Sequence, residues 1–101
     1  MHPLIEQNRE AIAELCRRHH VKRLDVFGSA ATGAFDPATS DVDFLVEFEA
    51  GAEARAFDLY FGLKEALEVL LQRAVDLVTV PSIRNPIFRG NVYATREVIY
   101  G

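Results

Sequence analysis

Two aspartates, Asp41 and Asp43, stand one residue apart at the start of an apolar run. Side chains alternate between the two faces of a strand, so we expect both carboxylates on the same face. Two carboxylates that close repel each other unless a proton or a cation lies between them. Because oxygen ligands of this kind suit Mg²⁺, the pair predicts a magnesium site.

A glycine–serine turn precedes the two aspartates. Gly28 and Ser29 end an earlier apolar run over residues 24–27. A glycine lets another group approach the backbone closely, and a turn that leads into a helix directs N–H groups toward anions such as phosphate. The Ser29 hydroxyl adds a further donor. A metal held by carboxylates beside a phosphate-binding turn is typical of phosphoryl or nucleotidyl transfer.

A third carboxylate, Asp76, lies inside the strongly apolar run 74–80. If this run forms a strand beside the strand of Asp43, Asp76 can reach the same metal ions. It could also act as the general base that takes a proton from an attacking hydroxyl group. The three aspartates and the turn therefore predict a metal-dependent nucleotide site.

These motifs together resemble the minimal nucleotidyltransferases, a family within the DNA polymerase β-like nucleotidyltransferase superfamily. A glycine–serine pair or an Asp-x-Asp motif alone is weak, but the two in this order with a later aspartate are specific. The resemblance covers almost the whole chain. The segments that carry it are Phe27-Gly28-Ser29, Gly33, Ser40-Asp41-Val42-Asp43-Phe44-Leu45-Val46 and Val75-Asp76-Leu77-Val78.

The resemblance implies a role for each motif. Gly28 and Ser29 would hold the triphosphate of ATP. Asp41, Asp43 and Asp76 would be the catalytic carboxylates and would ligate two Mg²⁺ ions. The reaction would move AMP from ATP to a hydroxyl acceptor. Members of this size are often paired with a small helical toxin of the HEPN ribonuclease class, and some act as antitoxins by adenylylating a tyrosine of that toxin.

One position departs from the family pattern. Many members carry an arginine just before the second glycine of the turn, where this chain has Thr32 before Gly33. The missing positive charge concerns nucleotide affinity and rate rather than metal binding. It leaves open an alternative function, a non-catalytic antitoxin or nucleotide-sensing module that neutralises its partner by contact. A third interpretation treats the aspartates as ordinary acids at strand edges.

Composition limits the classes of protein to consider. The chain has 101 residues, half of them apolar, and a net charge of −4. This length predicts a single domain over residues 1–101, with a partner covering leftover apolar surface in a hetero-oligomer. The negative charge argues against nucleic-acid binding. The lone Cys16 cannot form an internal disulfide, and no signal peptide or membrane-spanning run is present. We therefore expect a cytoplasmic protein.

Periodicity predicts the elements that position the site. The pattern favours an α/β fold, a small nucleotidyltransferase fold in which a mixed sheet of three or four strands packs against helices. The site would lie at the strand ends. The predicted helices cover 3–19, 54–72 and 84–94, with one helical turn at 29–32; the predicted strands cover 21–27, 42–48 and 74–80, with an extended end at 97–100.

Other polar residues have simpler interpretations. Cys16, His19 and His20 follow one another at helical spacing, but no further ligand completes a metal site, and a helix end that favours positive charge is the preferred interpretation. Asp25 interrupts the first strand. We expect it to face solvent or to pair with a neighbouring lysine or arginine, rather than to take part in catalysis.

Overall fold

A computed structural model of the chain describes residues 3–32, 41–79 and 86–101. Five helices and four strands follow one another in this part of the chain. A 3-10 turn at Glu53–Arg55 leads into the longest helix. The elements are α1 (Pro3–Gln7), α2 (Arg9–Arg18), β1 (Val21–Phe27), α3 (Ser29–Thr32), β2 (Val42–Phe48), α4 (Ala56–Leu71), β3 (Val75–Thr79), α5 (Pro86–Thr95) and β4 (Glu97–Tyr100).

The four strands form one mixed sheet in the order β3-β2-β1-β4. β1 is antiparallel to both β2 and β4, whereas β2 and β3 are parallel. Parallel neighbours need a crossover connection, and α4 supplies it. The predicted mixed α/β fold is confirmed, and the extended end 97–100 is its fourth strand.

The first predicted helix, over 3–19, is wrong in one respect, because the structure has two helices there. Asn8 separates them, with φ −105° and ψ 10°. Its side-chain Nδ2 donates a hydrogen bond of 2.8 Å to the Leu4 carbonyl oxygen. Asparagine side chains compete in this way for backbone groups that a continuous helix would use. Residues 33–40, which include Gly33, lie outside the described part of the chain, as do residue 80 of the predicted third strand and residues 84 and 85 of the predicted last helix.

The main core lies between one face of the sheet and the helices α1, α2 and α4. Cys16 is fully buried there, and this burial raises the pKa of its thiol to about 12. A thiol held in its neutral form is a poor metal ligand, which supports the structural interpretation of the Cys16 region. The most deeply buried side chains of this core include Ile5, Ile12, Leu24, Val26, Phe44, Val46, Leu63 and Leu67.

The opposite face of the sheet is covered by a smaller cluster. Phe27, Leu45 and Val92 are buried together, with Val78 packed against them. Val92 comes from α5, so this helix lies over the second face. Strand alternation places Asp43 and Asp76 on the same face as Leu45 and Val78. Across the described residues, no helix is both long and apolar enough to cross a membrane.

Candidate active site

Asp43 and Asp76 are direct neighbours in the sheet. Asp43 pairs with Asp76 across the parallel strands β2 and β3, and with Phe27 across the antiparallel strands β1 and β2. In-register residues on neighbouring strands point to the same face, so the two carboxylates lie side by side. Val42 and Val75, one position earlier on each strand, are buried on the other face. The structure therefore brings together the two aspartates that lie far apart in the sequence.

Asp41 precedes β2 and is exposed. Its charge reaches Asp43, because burial, the charge of Asp76 and the charge of Asp41, in that order, raise the pKa of Asp43 to about 6. The cause is physical in each case: burial disfavours the charged carboxylate, and neighbouring negative charges repel it. The three predicted carboxylates therefore share one electrostatic site. A cation bound between them would relieve the repulsion.

Gly28 lies against Asp43. Its φ of +70° belongs to the left-handed region that favours glycine. A Cβ atom at this position would lie 2.7 Å from Asp43 Oδ2, so a side chain here would require the Asp43 carboxylate or the turn to shift. Ala31 N–H donates to the Gly28 carbonyl oxygen at 3.1 Å and closes the first turn of α3. The absence of a side chain at Gly28 therefore leaves room for the Asp43 carboxylate.

The N–H group of Gly28 already has an acceptor within the protein. It donates to Thr95 Oγ1, at the end of α5, over 2.9 Å. This differs from the expectation that the N–H groups of the turn point outward to a phosphate. Sequence reasoning missed Thr95 because it lies 67 residues from Gly28 and no local pattern marks it.

Two side chains of α4 hold β3 on either side of Asp76. The Tyr60 hydroxyl donates to the Leu77 carbonyl oxygen at 2.5 Å. Glu68 Oε2 accepts a hydrogen bond from Val75 N–H at 3.1 Å. That bond, first among several causes, lowers the pKa of Glu68. In the part of the chain that the structure describes, β3 is an edge strand of the sheet, so these bonds fix the backbone from which the Asp76 side chain projects.

Asp25 is buried, with 1% of its surface exposed, so the expectation that it could face solvent is wrong. The expected salt bridge to a neighbouring base is confirmed, because Arg23 Nε lies 2.9 Å from Asp25 Oδ1. Arg96 Nε lies 3.8 Å from Asp25 Oδ2 and adds a second positive charge. Both partners compensate the buried carboxylate, which gives it a structural role away from the aspartate pair.

The Asp43 and Asp76 carboxylates fit the way in which proteins usually bind Mg²⁺. Within residues 3–32, 41–79 and 86–101, no three His, Cys, Asp or Glu side chains are grouped closely enough to hold an ion by themselves. Mg²⁺ usually keeps several waters and is bound by one or two carboxylates together with substrate phosphates. Asp43 and Asp76 supply such a pair, and the backbone of Gly28 lies close to the Asp43 carboxylate.

Comparison with known proteins identifies the family of this chain. The sequence model of the family described as Nucleotidyltransferase domain matches residues 9–99. The chain belongs to this nucleotidyltransferase family. Membership confirms the resemblance drawn from the aspartate and glycine motifs, and with it the prediction of a nucleotidyltransferase.

Individual relatives of this nucleotidyltransferase extend the comparison. It is 39% identical over 87 residues to the protein adenylyltransferase MntA of Thermococcus cleftensis, covering 86% of this chain and 81% of that protein. A solved structure attributed to a minimal nucleotidyltransferase has a TM-score of 0.75 and 39% identity, with 92% of this chain and 90% of the other covered.

A more distant neighbour shares the fold alone. It is a chain from the complex of a tri-AMPylated Shewanella oneidensis HEPN toxin with an MNT antitoxin, with a TM-score of 0.62 and 20% identity. The match covers 95% of this nucleotidyltransferase and 71% of that chain.

Proposed function

We propose that this nucleotidyltransferase is a metal-dependent protein adenylyltransferase. It would move AMP from ATP to a hydroxyl acceptor, a tyrosine of a cognate HEPN-type toxin, and so act as an antitoxin. The observation that carries the proposal is the in-register pair Asp43 and Asp76 beside Gly28. The adenylyltransferase name of the Thermococcus relative supports the reaction class.

The proposed roles follow the positions of the residues. Asp41, Asp43 and Asp76 would hold two Mg²⁺ ions, and Gly28 and Ser29 would form the turn that receives the triphosphate. When bound, Mg²⁺ would neutralise phosphate charge and stabilise the pyrophosphate leaving group. Asp43 is the most buried of the three carboxylates and has the raised pKa. It is therefore the one whose ionised form gains most from a cation.

The proposed transfer step moves AMP from ATP to the acceptor hydroxyl group, with Asp76 of this chain as the proton acceptor. The acceptor hydroxyl oxygen attacks the α-phosphorus of ATP, and an oxygen–phosphorus bond forms. The bond from the α-phosphorus to the bridging oxygen breaks, and pyrophosphate leaves. Asp76, exposed at the edge strand, takes the proton of the hydroxyl group as general base.

The surface of α4 supports a protein partner. Phe57 and Phe61 are 74% and 50% exposed, one helical turn apart. Their ring centroids lie 4.7 Å from each other. Exposed aromatic pairs of this kind are more typical of a surface that a partner covers than of a free surface. The AMPylated HEPN toxin in the complex of the distant neighbour indicates the class of partner to test.

A non-catalytic antitoxin is the second candidate. The observation in its favour is Thr32, which stands where many family members carry an arginine. In this function the protein would neutralise the toxin by contact, with its site used to sense nucleotide or not used. The two candidates differ in whether the carboxylates are needed for inhibition.

An adenylylation assay separates the two candidates. The full chain is incubated with labelled ATP, Mg²⁺ and a HEPN-type toxin, beside an Asp41→Ala, Asp43→Ala variant. A matched control is Glu47→Ala, Glu49→Ala, because these acids have the same spacing further along the chain and are exposed.

Label on the toxin with the wild type and the glutamate control, but none with the aspartate variant, is the expected result. The contact antitoxin would replace the proposed transferase if two results came together. The toxin would stay unlabelled, and the aspartate variant would inhibit it as well as the wild type does.

A further inference from the structure

We propose that Thr95 is the positioning residue of the glycine–serine turn. Its hydroxyl oxygen accepts the Gly28 N–H and so holds the turn in place against Asp43. This inference rests on the proposed function, since it assigns to Thr95 an effect on how ATP binds. Thr95 would act through Gly28, without itself touching the reacting atoms.

Gly28 needs an external constraint. A glycine samples positive and negative φ about equally, so nothing in its own chemistry selects the observed φ of +70°. The turn must nevertheless keep one conformation, because the Gly28 backbone lies directly beside the Asp43 carboxylate. The 2.9 Å bond to Thr95 Oγ1 fixes the orientation of the peptide group that enters the turn.

Thr95 is itself held in place by the contacts of the residues that follow it. It is the last residue of α5, and the next residue, Arg96, reaches the buried Asp25 of β1. Glu97 then pairs with Val26 in the sheet. The Thr95 hydroxyl therefore has a location that does not depend on the turn, and it can serve as a fixed anchor for Gly28.

The expected consequence is a change in substrate binding rather than in the chemical step. Without the acceptor, the Gly28 peptide can rotate and the turn spends part of its time away from its place beside Asp43. Asp41, Asp43 and Asp76 stay where their own strands place them. We therefore expect KM for ATP to rise about tenfold, which corresponds to the loss of one hydrogen bond. We expect kcat to stay within about twofold of the wild-type value.

The experiment compares Thr95→Val, which replaces the hydroxyl by a methyl group, with Thr95→Ser, which keeps the hydroxyl. Thr95→Ala is a second test variant, since it removes the hydroxyl without adding an atom. Thr79→Val is the matched control. It makes the same change of side chain, and strand alternation places Thr79 on the face of the sheet opposite to Asp43 and Asp76. Two quantities are measured on the full chain: amide hydrogen exchange at Gly28 without nucleotide, and KM and kcat for ATP in the adenylylation assay.

Faster exchange at Gly28 and a raised KM in Thr95→Val and Thr95→Ala, with Thr95→Ser and Thr79→Val like the wild type, is the expected result. Unchanged exchange at Gly28 would overturn the inference, whatever the activity. Faster exchange with an unchanged KM would overturn it too. A wild type that transfers no AMP would refute the proposed function and the role of Thr95 in ATP binding, while the exchange data still report whether the contact holds the turn.

Discussion

At the scale of single residues, Asp43 sets the properties of the site. It has Asp76 beside it on β3, Gly28 against its carboxylate and the charge of Asp41 nearby. Sequence spacing predicted that Asp41 would lie near Asp43, because two such residues share a face of one strand. The crowding by Gly28 could not be predicted, since it depends on how closely β1 and the turn approach β2.

The raised pKa of Asp43 predicts that ionisation of this carboxyl group lowers the free energy of unfolding of the metal-free protein. The folded state keeps this proton up to about pH 6, whereas the ordinary value is 3.8. Between those values the folded state binds more protons than the unfolded state, so the free energy of unfolding falls as pH rises. We expect Asp43→Asn to stabilise the protein at pH 7 by on the order of 1 kcal/mol, after allowance for solvent screening, and to have little effect at pH 4.

Urea denaturation with EDTA present measures this difference at both pH values. Glu47→Gln, further along the same strand, is the control and should be neutral at both. An Asp43→Asn variant with the same gain at pH 4 as at pH 7 would show that the effect is not electrostatic. The same variant should lose AMP transfer.

A side chain at Gly28 should destabilise the protein in two ways, through its positive φ and through its contact with Asp43. Comparison with Gly51 separates the two costs. Gly28 and Gly51 both have positive φ, but a Cβ at Gly51 meets nothing within 4 Å. Gly51→Ala therefore reports the backbone cost alone, about 1–2 kcal/mol. Gly28→Ala should cost about 1–3 kcal/mol more, because its methyl group collides with the Asp43 carboxylate.

Thermal or chemical denaturation of both variants gives the comparison. The double variant Gly28→Ala, Asp43→Ala should recover most of the extra cost, since it removes the colliding atoms. Equal destabilisation by the two single variants would mean that the turn moves away without penalty.

At the scale of elements, α4 protects the edge of the sheet. Among the strands of residues 3–32, 41–79 and 86–101, β3 has β2 on one side only. A strand edge without a neighbour offers N–H and C=O groups to other chains. Tyr60 and Glu68 bond two backbone groups of β3, and Lys64 Nζ lies 3.3 Å from Glu68 Oε2. Periodicity predicted α4, but not which of its polar side chains would turn toward β3.

This arrangement predicts that Tyr60→Phe and Glu68→Met each lower the free energy of unfolding by about 0.5–1.5 kcal/mol, the net worth of one hydrogen bond. Methionine has a similar length but no side-chain oxygen to accept the Val75 N–H. Glu65→Met, on the exposed side of α4, should change it by less. Amide exchange at Val75 should accelerate in Glu68→Met alone. Slow exchange at Val75 in that variant would show that Glu68 does not hold the strand.

At the scale of the whole molecule, Asp25 connects distant parts of the chain. It lies on β1, and its two arginine partners come from the same strand and from the junction of α5 and β4. The guanidinium of Arg96 also lies over the Tyr93 ring, 4.4 Å from its centroid. The charge pattern predicted a local partner for Asp25. The distant partner required the β1–β4 pairing, which short-range patterns do not specify.

The ion pair predicts an order of destabilisation. Arg23→Met should cost about 1–3 kcal/mol, since it leaves a buried carboxylate with less compensation. Arg96→Met should cost less, because its separation from Asp25 is 3.8 Å rather than 2.9 Å. Arg18→Met, whose side chain is 68% exposed, is the surface control.

Combining Arg23→Met with Asp25→Asn tests the cause by urea denaturation. The double variant should be more stable than Arg23→Met alone, because it removes the uncompensated charge. A double variant that is less stable would indicate lost packing instead.

Taken across the chain, the strands and the long helix were predictable because their apolar residues repeat with the period of each element. β1 and β2 have the predicted bounds. The proximity of Asp43 and Asp76 was predicted only on the assumption that their two strands would be neighbours. The contacts of Gly28, Asp25 and β3 with distant side chains could not be predicted, since they depend on tertiary packing. The single domain, the cytoplasmic location and the absence of nucleic-acid binding remain predictions.

The bond between Gly28 and Thr95 also has a consequence for the order of folding. β1 and β2 are close in the sequence and can pair early, whereas Gly28 and Thr95 are 67 residues apart. Closing so long a segment costs more entropy and slows the contacts that depend on it. During refolding we expect far-UV circular dichroism to recover before the ability to bind ATP. Recovery of both signals at one rate would show that the turn is complete as soon as β1 and β2 pair.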